Sequence, residues 1–130
     1  MRKIATLLAI VLFSSIGFAQ KGAKIEFKVQ NNTIDYGKIS KGSDNGIRAF
    51  EFTNTGDAPL IIVSVQSTSN LTILSAPKDS ILPGKTAKIE IKYNMSAPGP
   101  IRKTITVESN AINYEEGRIP LKIKGEIIAN

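Results

Sequence analysis

Two short stretches carry residue types that chemistry uses. Asn54-Thr55-Gly56-Asp57 sets amide and carboxylate side chains around a glycine, as phosphate cradles and calcium loops do. Ser75 is followed three residues on by Lys78, the spacing of a serine–lysine dyad carried on a helical turn. A phosphate loop needs more glycines and a helix after it, whereas Pro59 and the apolar run Leu60-Ile61-Ile62-Val63 follow here. A calcium loop needs several oxygen ligands in close order, and Asp57 is the one carboxylate available. In the second stretch Pro77 stands between Ser75 and Lys78 and disfavours the turn that would join them. The first stretch therefore reads as a bend between two strands, in which Asn and Gly tolerate left-handed backbone and Asp57 accepts from nearby N–H groups.

The rest of the inventory narrows in the same direction. The chain has no His and no Cys. That removes the usual base of a nucleophilic triad and the usual ligands of zinc, copper and non-haem iron. A glycosidase needs two carboxylates across a cleft. Here Glu26, Glu90, Glu108 and Glu126 alternate with other side chains on outward strand faces, and Glu115-Glu116 is a solvated loop pair. The expectation is no catalytic residue, no metal site and no cofactor, with an enzyme the most distant of three function classes.

The elements that position these residues are strands. Period-two alternation runs through 24–29, 33–39, 47–54, 60–66, 86–94, 101–109 and 119–128. It places Ile25, Phe27 and Val29 on one face of the first. Phe50 and Phe52 point inward in the third, and Ile61, Val63 and Val65 share a face in the fourth. Ala87, Ile89, Ile91 and Tyr93 point inward in the fifth; Ile101, Ile105 and Val107 in the sixth; Leu121, Ile123 and Ile127 in the last. Turn-forming clusters separate them: 42–46, 54–57, 82–85 and 97–100. No segment sustains a 3.6-residue period. About seven short strands with regular turns predict an all-β, antiparallel immunoglobulin-like β-sandwich, with a small barrel as the structural alternative. Lys24 and Lys28 on the first strand and Lys122 and Lys124 on the last read as guards of exposed sheet edges.

The N-terminal residues read separately. Arg2 and Lys3 precede the apolar stretch Ile4–Phe13, and small residues stand at Gly17 and Ala19. This is the pattern of a cleaved export signal covering 1–19, too short to span a bilayer. No Cys follows to take a lipid. Of 130 residues, 111 remain as one domain, 20–130. Without Arg2 and Lys3 the 17 basic residues become 15 against 11 acids, a net charge of +4. The lysines are scattered singly, which disfavours nucleic acid as a partner. The expected location is periplasmic or extracellular, with no membrane span after signal removal.

Four phrases in order carry a resemblance: FEFTNTGDAPLIIVSV, LPGKTAKIEIKYN, GPIRKTITVESNA and IPLKIKGEI. Together they resemble the DUF1573 family over roughly residues 34–128. The resemblance implies an exported bacterial domain of immunoglobulin-like fold and unassigned molecular function. More distantly the chain resembles the ASPM–SPD-2–Hydin and major sperm protein sandwiches, which implies a docking role. Members of the DUF1573 family commonly carry Cys-Gly-Cys-Thr after the fourth strand, and this chain has Ser69-Asn70-Leu71-Thr72 there. Any role of those cysteines does not carry over.

Two function classes remain ahead of the enzyme. One is a non-catalytic module that docks a protein or an envelope glycan through end loops or strand edges. The other is a purely structural subunit of a surface or periplasmic assembly. A basic strip of outward lysines facing an acidic partner or lipopolysaccharide is a sharper form of the first. The expected contacts are Asp44 and Asn45 in the 42–46 loop, Ser69 and Asn70 in the 67–70 segment, and an exposed Tyr114 in the 111–117 loop, with a plug for one end of the core as the alternative for Tyr114. The acceptor patterns at Asn31, Asn70, Asn94 and Ser80 are short enough to arise by chance.

Overall fold

The structure, a computed structural model, describes residues 21–129. The expected leader lies outside these residues. Eight strands form two four-stranded sheets. They are β1 (Ile25–Phe27), β2 (Thr33–Ser40), β3 (Ile47–Asn54), β4 (Ile62–Gln66), β5 (Leu71–Ser75), β6 (Thr86–Tyr93), β7 (Gly99–Ser109) and β8 (Arg118–Ile128). One sheet runs β1-β3-β6-β5 and the other β2-β8-β7-β4. This is the all-β immunoglobulin-like sandwich that the alternation predicts. No helix among the described residues is long and apolar enough to cross a membrane.

The interior follows the period-two pattern. Phe50, Phe52, Ile89, Ile91, Ile101, Ile105, Val107, Ile119 and Leu121 have no solvent exposure. Phe27 meets Phe50 edge-on, with ring centres 6.2 Å apart, and lies 5.3 Å from Phe52. These offset arrangements add to the area they bury.

Four details depart from the sequence expectation. The eighth strand is β5, in a stretch whose polar residues mask its pattern; Leu71 is buried and Ile73 partly so. β2 pairs with β8 in parallel. Asn31 and Asn32 adopt left-handed backbone, with φ of 55° and 52°, and this kink moves the chain from the edge of one sheet to the edge of the other. In the fourth strand Ile61, Val63 and Val65 do not share one face, since Val65 packs against the core and the other two do not. Leu60 bridges to Ile81 inside the core, and an irregularity between Ile62 and Ser64 shifts the register. Ile61 and Val63 are therefore 48% and 66% exposed. Finally, β8 lies between β2 and β7. Lys122 and Lys124 therefore stand mid-sheet and guard no edge, whereas Lys24 and Lys28 flank the true edge strand β1.

Candidate functional site

The bend after β3 is a structural knot. Asn54 is fully buried. Its Nδ2 donates to the carbonyls of Ala58 and Ile81, each at 2.8 Å. Its Oδ1 accepts from Gly56 N at 2.9 Å and from Lys24 N at 3.4 Å. The Asp57 carboxylate accepts from Gly22 N at 2.8 Å, and Asp57 N donates back to Gly22 O. A Cβ on Gly56 would lie 2.1 Å from Gly22 O, so only glycine fits that crossing. The polar atoms of this turn bind its own neighbours and tie the N-terminal segment to β3. Asn113 does the same for β1, accepting from Ile25 N and donating to Ile25 O.

The sheet registers bring three loops to one end of the sandwich: 41–46 before β3, 67–70 before β5, and 94–98 before β7. Asn94 N donates to Asn70 O at 2.9 Å and so joins two of them. Tyr93 N donates to Gly46 O and ties in the third. Between the 41–46 and 94–98 loops and the adjoining parts of β5 and β6 lies a cleft of about 460 Å³ lined by Asp44, Asn45, Thr72, Lys92, Asn94 and Met95, to which the 67–70 loop contributes no residue. Four of the five expected contacts, Asp44, Asn45, Ser69 and Asn70, sit on these loops.

Their chemistry differs. Both oxygens of Asp44 are engaged by Arg48, at 3.2 and 2.9 Å, and Oδ1 also accepts from Gly46 N. Arg48 holds the Asp44 carboxyl below the usual range, chiefly through this hydrogen-bonded fork. Asp44 is a brace of the loop. Asn45 Oδ1 accepts from Ile47 N, and Asn45 lines the cleft with no hydrogen bond on its amide nitrogen among the described residues. Ser69 Oγ accepts from the Lys103 ammonium at 3.2 Å. Asn70 is exposed and held at φ 66°. With Lys92 and the amides of Asn45 and Asn94, the cleft offers mainly donors.

Tyr36 stands beneath this end. Its hydroxyl donates to Gly46 O at 2.7 Å, and the Arg48 guanidinium covers its ring. Burial pushes its phenol up to about 12, with Arg48 opposing in part. Sequence reading missed this unit. The signal available was Tyr36 on an inward phase and Asp44 four residues before Arg48.

Tyr114 lies at the opposite end and is half-buried where exposure was expected. It packs against the core, and its hydroxyl accepts from Asn32 Nδ2 at 2.9 Å. The chain reversal around left-handed Glu116 and Gly117 folds it back. Among the described residues no three His, Cys, Asp or Glu side chains are grouped to hold a metal ion.

Residues 25–127 match the family described as "Protein of unknown function (DUF1573)". No curated protein matches the chain at a significant level. Among solved structures, a protein of unknown function from Porphyromonas gingivalis W83 is 21% identical with a TM-score of 0.66, over 83% of this chain and 48% of that one. The secreted serine protease VesC from Vibrio cholerae is 15% identical with a TM-score of 0.60, over 85% and 24%. The ASH/PapD-like domain of human CEP192 is 13% identical with a TM-score of 0.56, over 82% and 87%. At these identities the likeness is one of fold. The chain spans about half of the Porphyromonas protein and about a quarter of the protease. It belongs to the DUF1573 family.

Proposed function

We propose that this DUF1573 chain is an exported, non-catalytic docking module of the bacterial cell envelope. It binds a protein or glycan segment at the three-loop end. The observation that supports this reading is the cleft around Asn45, Lys92 and Asn94, whose donors have few partners in the fold. The rigid sheets beneath fix those loops, as binding loops on a scaffold require. Its ligand is rich in acceptors, such as peptide carbonyls or sugar hydroxyls. The test is affinity purification of the processed form from native envelope, comparing the natural chain with an Asn45→Ala/Lys92→Ala variant. Loss of a specific companion from the variant, with an unchanged melting temperature, supports the reading. Identical companions overturn it. Fractionation with N-terminal sequencing tests export, and a product starting before residue 20 would contradict the leader assignment.

A second reading, a structural subunit, has its own observation. Residues 58–77 carry no charged side chain, and they include both β4 and β5. These two edges lie on one flank, and Ile61, Val63 and Leu74 are exposed there. Edge strands commonly carry charge against pairing, and this flank does not. Sedimentation of Val63→Lys and Leu74→Lys variants tests it. A natural chain that assembles while the variants do not favours the structural role.

A further inference from the structure

The outward face of the second sheet carries a compact cluster of cations in strand register. Arg102 on β7 is the register partner of Lys124 on β8, and Thr104 is the partner of Lys122. On the other side of β8, Thr33 stands opposite Lys122 and Asp35 opposite Lys124. Lys122 and Lys124 are two residues apart on one face, ~7 Å along the strand. Arg102 lies across from Lys124 at ladder spacing, ~5 Å between Cα atoms. Like charges directly opposite on a sheet face destabilise it. Asp35 offsets part of this at 3.9 Å from Lys124, while Arg102 and Lys122 have no ion-pair partner among the described residues. A groove of about 530 Å³ runs between Thr33, Arg102, Thr104, Lys122 and Lys124; Lys103, whose ammonium donates to Ser69 Oγ, and the buried Ile123 complete its lining.

The geometry points to a binding site for a single phosphate monoester carried on a sugar. Three cations and the Thr104 hydroxyl share one small area of this face, which suits a compact dianion with several acceptor oxygens. Acids fence that area: Asp35 on β2, Glu126 farther along β8 and Glu108 farther along β7. A long polyanion would run onto those carboxylates. A bilayer surface would press all three against its own negative charge. Nor does the groove offer a large apolar side chain to insert, since the exposed ones on the molecule lie elsewhere and Ile128 stands at the strand's end. The Thr33 hydroxyl donates to Asn31 O and can still accept from a ligand hydroxyl, so with Thr104 it suits a polar, hydroxylated carrier. The groove lies on a sheet face and the cleft lies between loops, so this site stands apart from the loop-end docking proposed above.

Amide NMR titration of the folded domain with glucose 1-phosphate tests the proposal. Inorganic phosphate, a phosphoserine peptide, phosphatidic-acid vesicles and ionic-strength-matched sodium chloride serve as the other arms. The expected result is saturable shifts confined to Thr33, Arg102, Thr104, Lys122 and Lys124 with glucose 1-phosphate. Inorganic phosphate gives weaker shifts at the same residues. Arg102→Gln/Lys122→Gln weakens the sugar phosphate at least tenfold, and Lys88→Gln on the other sheet does not change it. Shifts spread over all lysines, or reproduced by chloride, would overturn the site. Tighter binding of the phosphopeptide, or binding to vesicles alone, would overturn the sugar assignment. Asn45→Ala/Lys92→Ala is expected to bind the sugar phosphate normally, so failure here and failure of loop-end docking are separable.

Discussion

The guanidinium of Arg48 lies 4.2 Å from the centre of the Tyr36 ring while it forks both oxygens of Asp44. One planar cation thus stacks on an aromatic face and braces a loop carboxylate, and a lysine cannot do both. Arg48→Lys is expected to lower stability by about 1 kcal/mol in denaturant unfolding. It should also broaden the amide signals of residues 42–46. A variant as stable as the natural chain would show that the stack contributes nothing.

Tyr36 titrates high because burial disfavours its phenolate. Its folded value, about 12, lies above the ordinary 10.0. The sign follows: its contribution to stability is complete below pH 10.0 and is lost as pH rises through about 12. Ultraviolet tyrosinate absorbance should therefore contain a late component near pH 12 that Tyr36→Phe removes. Its appearance near pH 10 would contradict the burial argument.

Asp44 gives the opposite dependence. Its folded pKa lies below the ordinary 3.8, with Arg48 the largest cause. Its contribution is therefore complete above that value and is lost as pH falls further, through the lowered folded one. The difference in stability between the natural chain and Asp44→Asn should be constant near neutrality and shrink in acid below the ordinary value. A difference that grows on acidification would refute the ion-pair account.

Asn54 and Gly56 make the turn after β3 intolerant of change. Asn54→Ala leaves the Ala58 and Ile81 carbonyls and the Gly56 N–H without their side-chain partner inside the fold. A cost of about 2–4 kcal/mol is expected. Gly56→Ala must displace the Gly22 backbone and should cost at least as much. Thr55→Ala, on the exposed residue between them, should stay within about 0.5 kcal/mol.

Much of this was legible beforehand for one reason: alternation reports which face is buried. Phe50, Phe52, Ile89, Ile91, Ile105 and Leu121 all sit where period two places them. The bend at 54–57 also reads correctly from its turn-formers. What escaped was whatever long-range pairing decides. Local pattern carries no trace that β8 is central or that its partner β2 runs parallel. The bulge that turns Val63 outward depends on Leu60 meeting Ile81, far along the chain. The loop-end brace escaped likewise, because Tyr36 and Arg48 come from different sheets. Tyr114 reads from its polar loop as either a surface contact or a plug, and the left-handed reversal after it packs it against the core.

Tyr114 can be separated into its two roles. Tyr114→Phe removes the hydroxyl that accepts from Asn32 and keeps the ring, so a loss of about 1 kcal/mol is expected. Tyr114→Ala removes the packing as well and should cost about 2–4 kcal/mol. If Tyr114→Ala instead leaves the melting temperature unchanged and abolishes capture of an envelope companion, the side chain is a contact and not a plug.

The place of β8 has a consequence for how the molecule comes into being. Thr33 must wait for Lys122, and β7 likewise closes on a strand that arrives last. A nascent chain emerging N-terminus first holds this sheet with its middle missing until β8 has been made. Contacts of such wide sequence separation form slowly. The second sheet therefore closes only once β8 is present, so a copy cut short before β8 remains open to proteolysis.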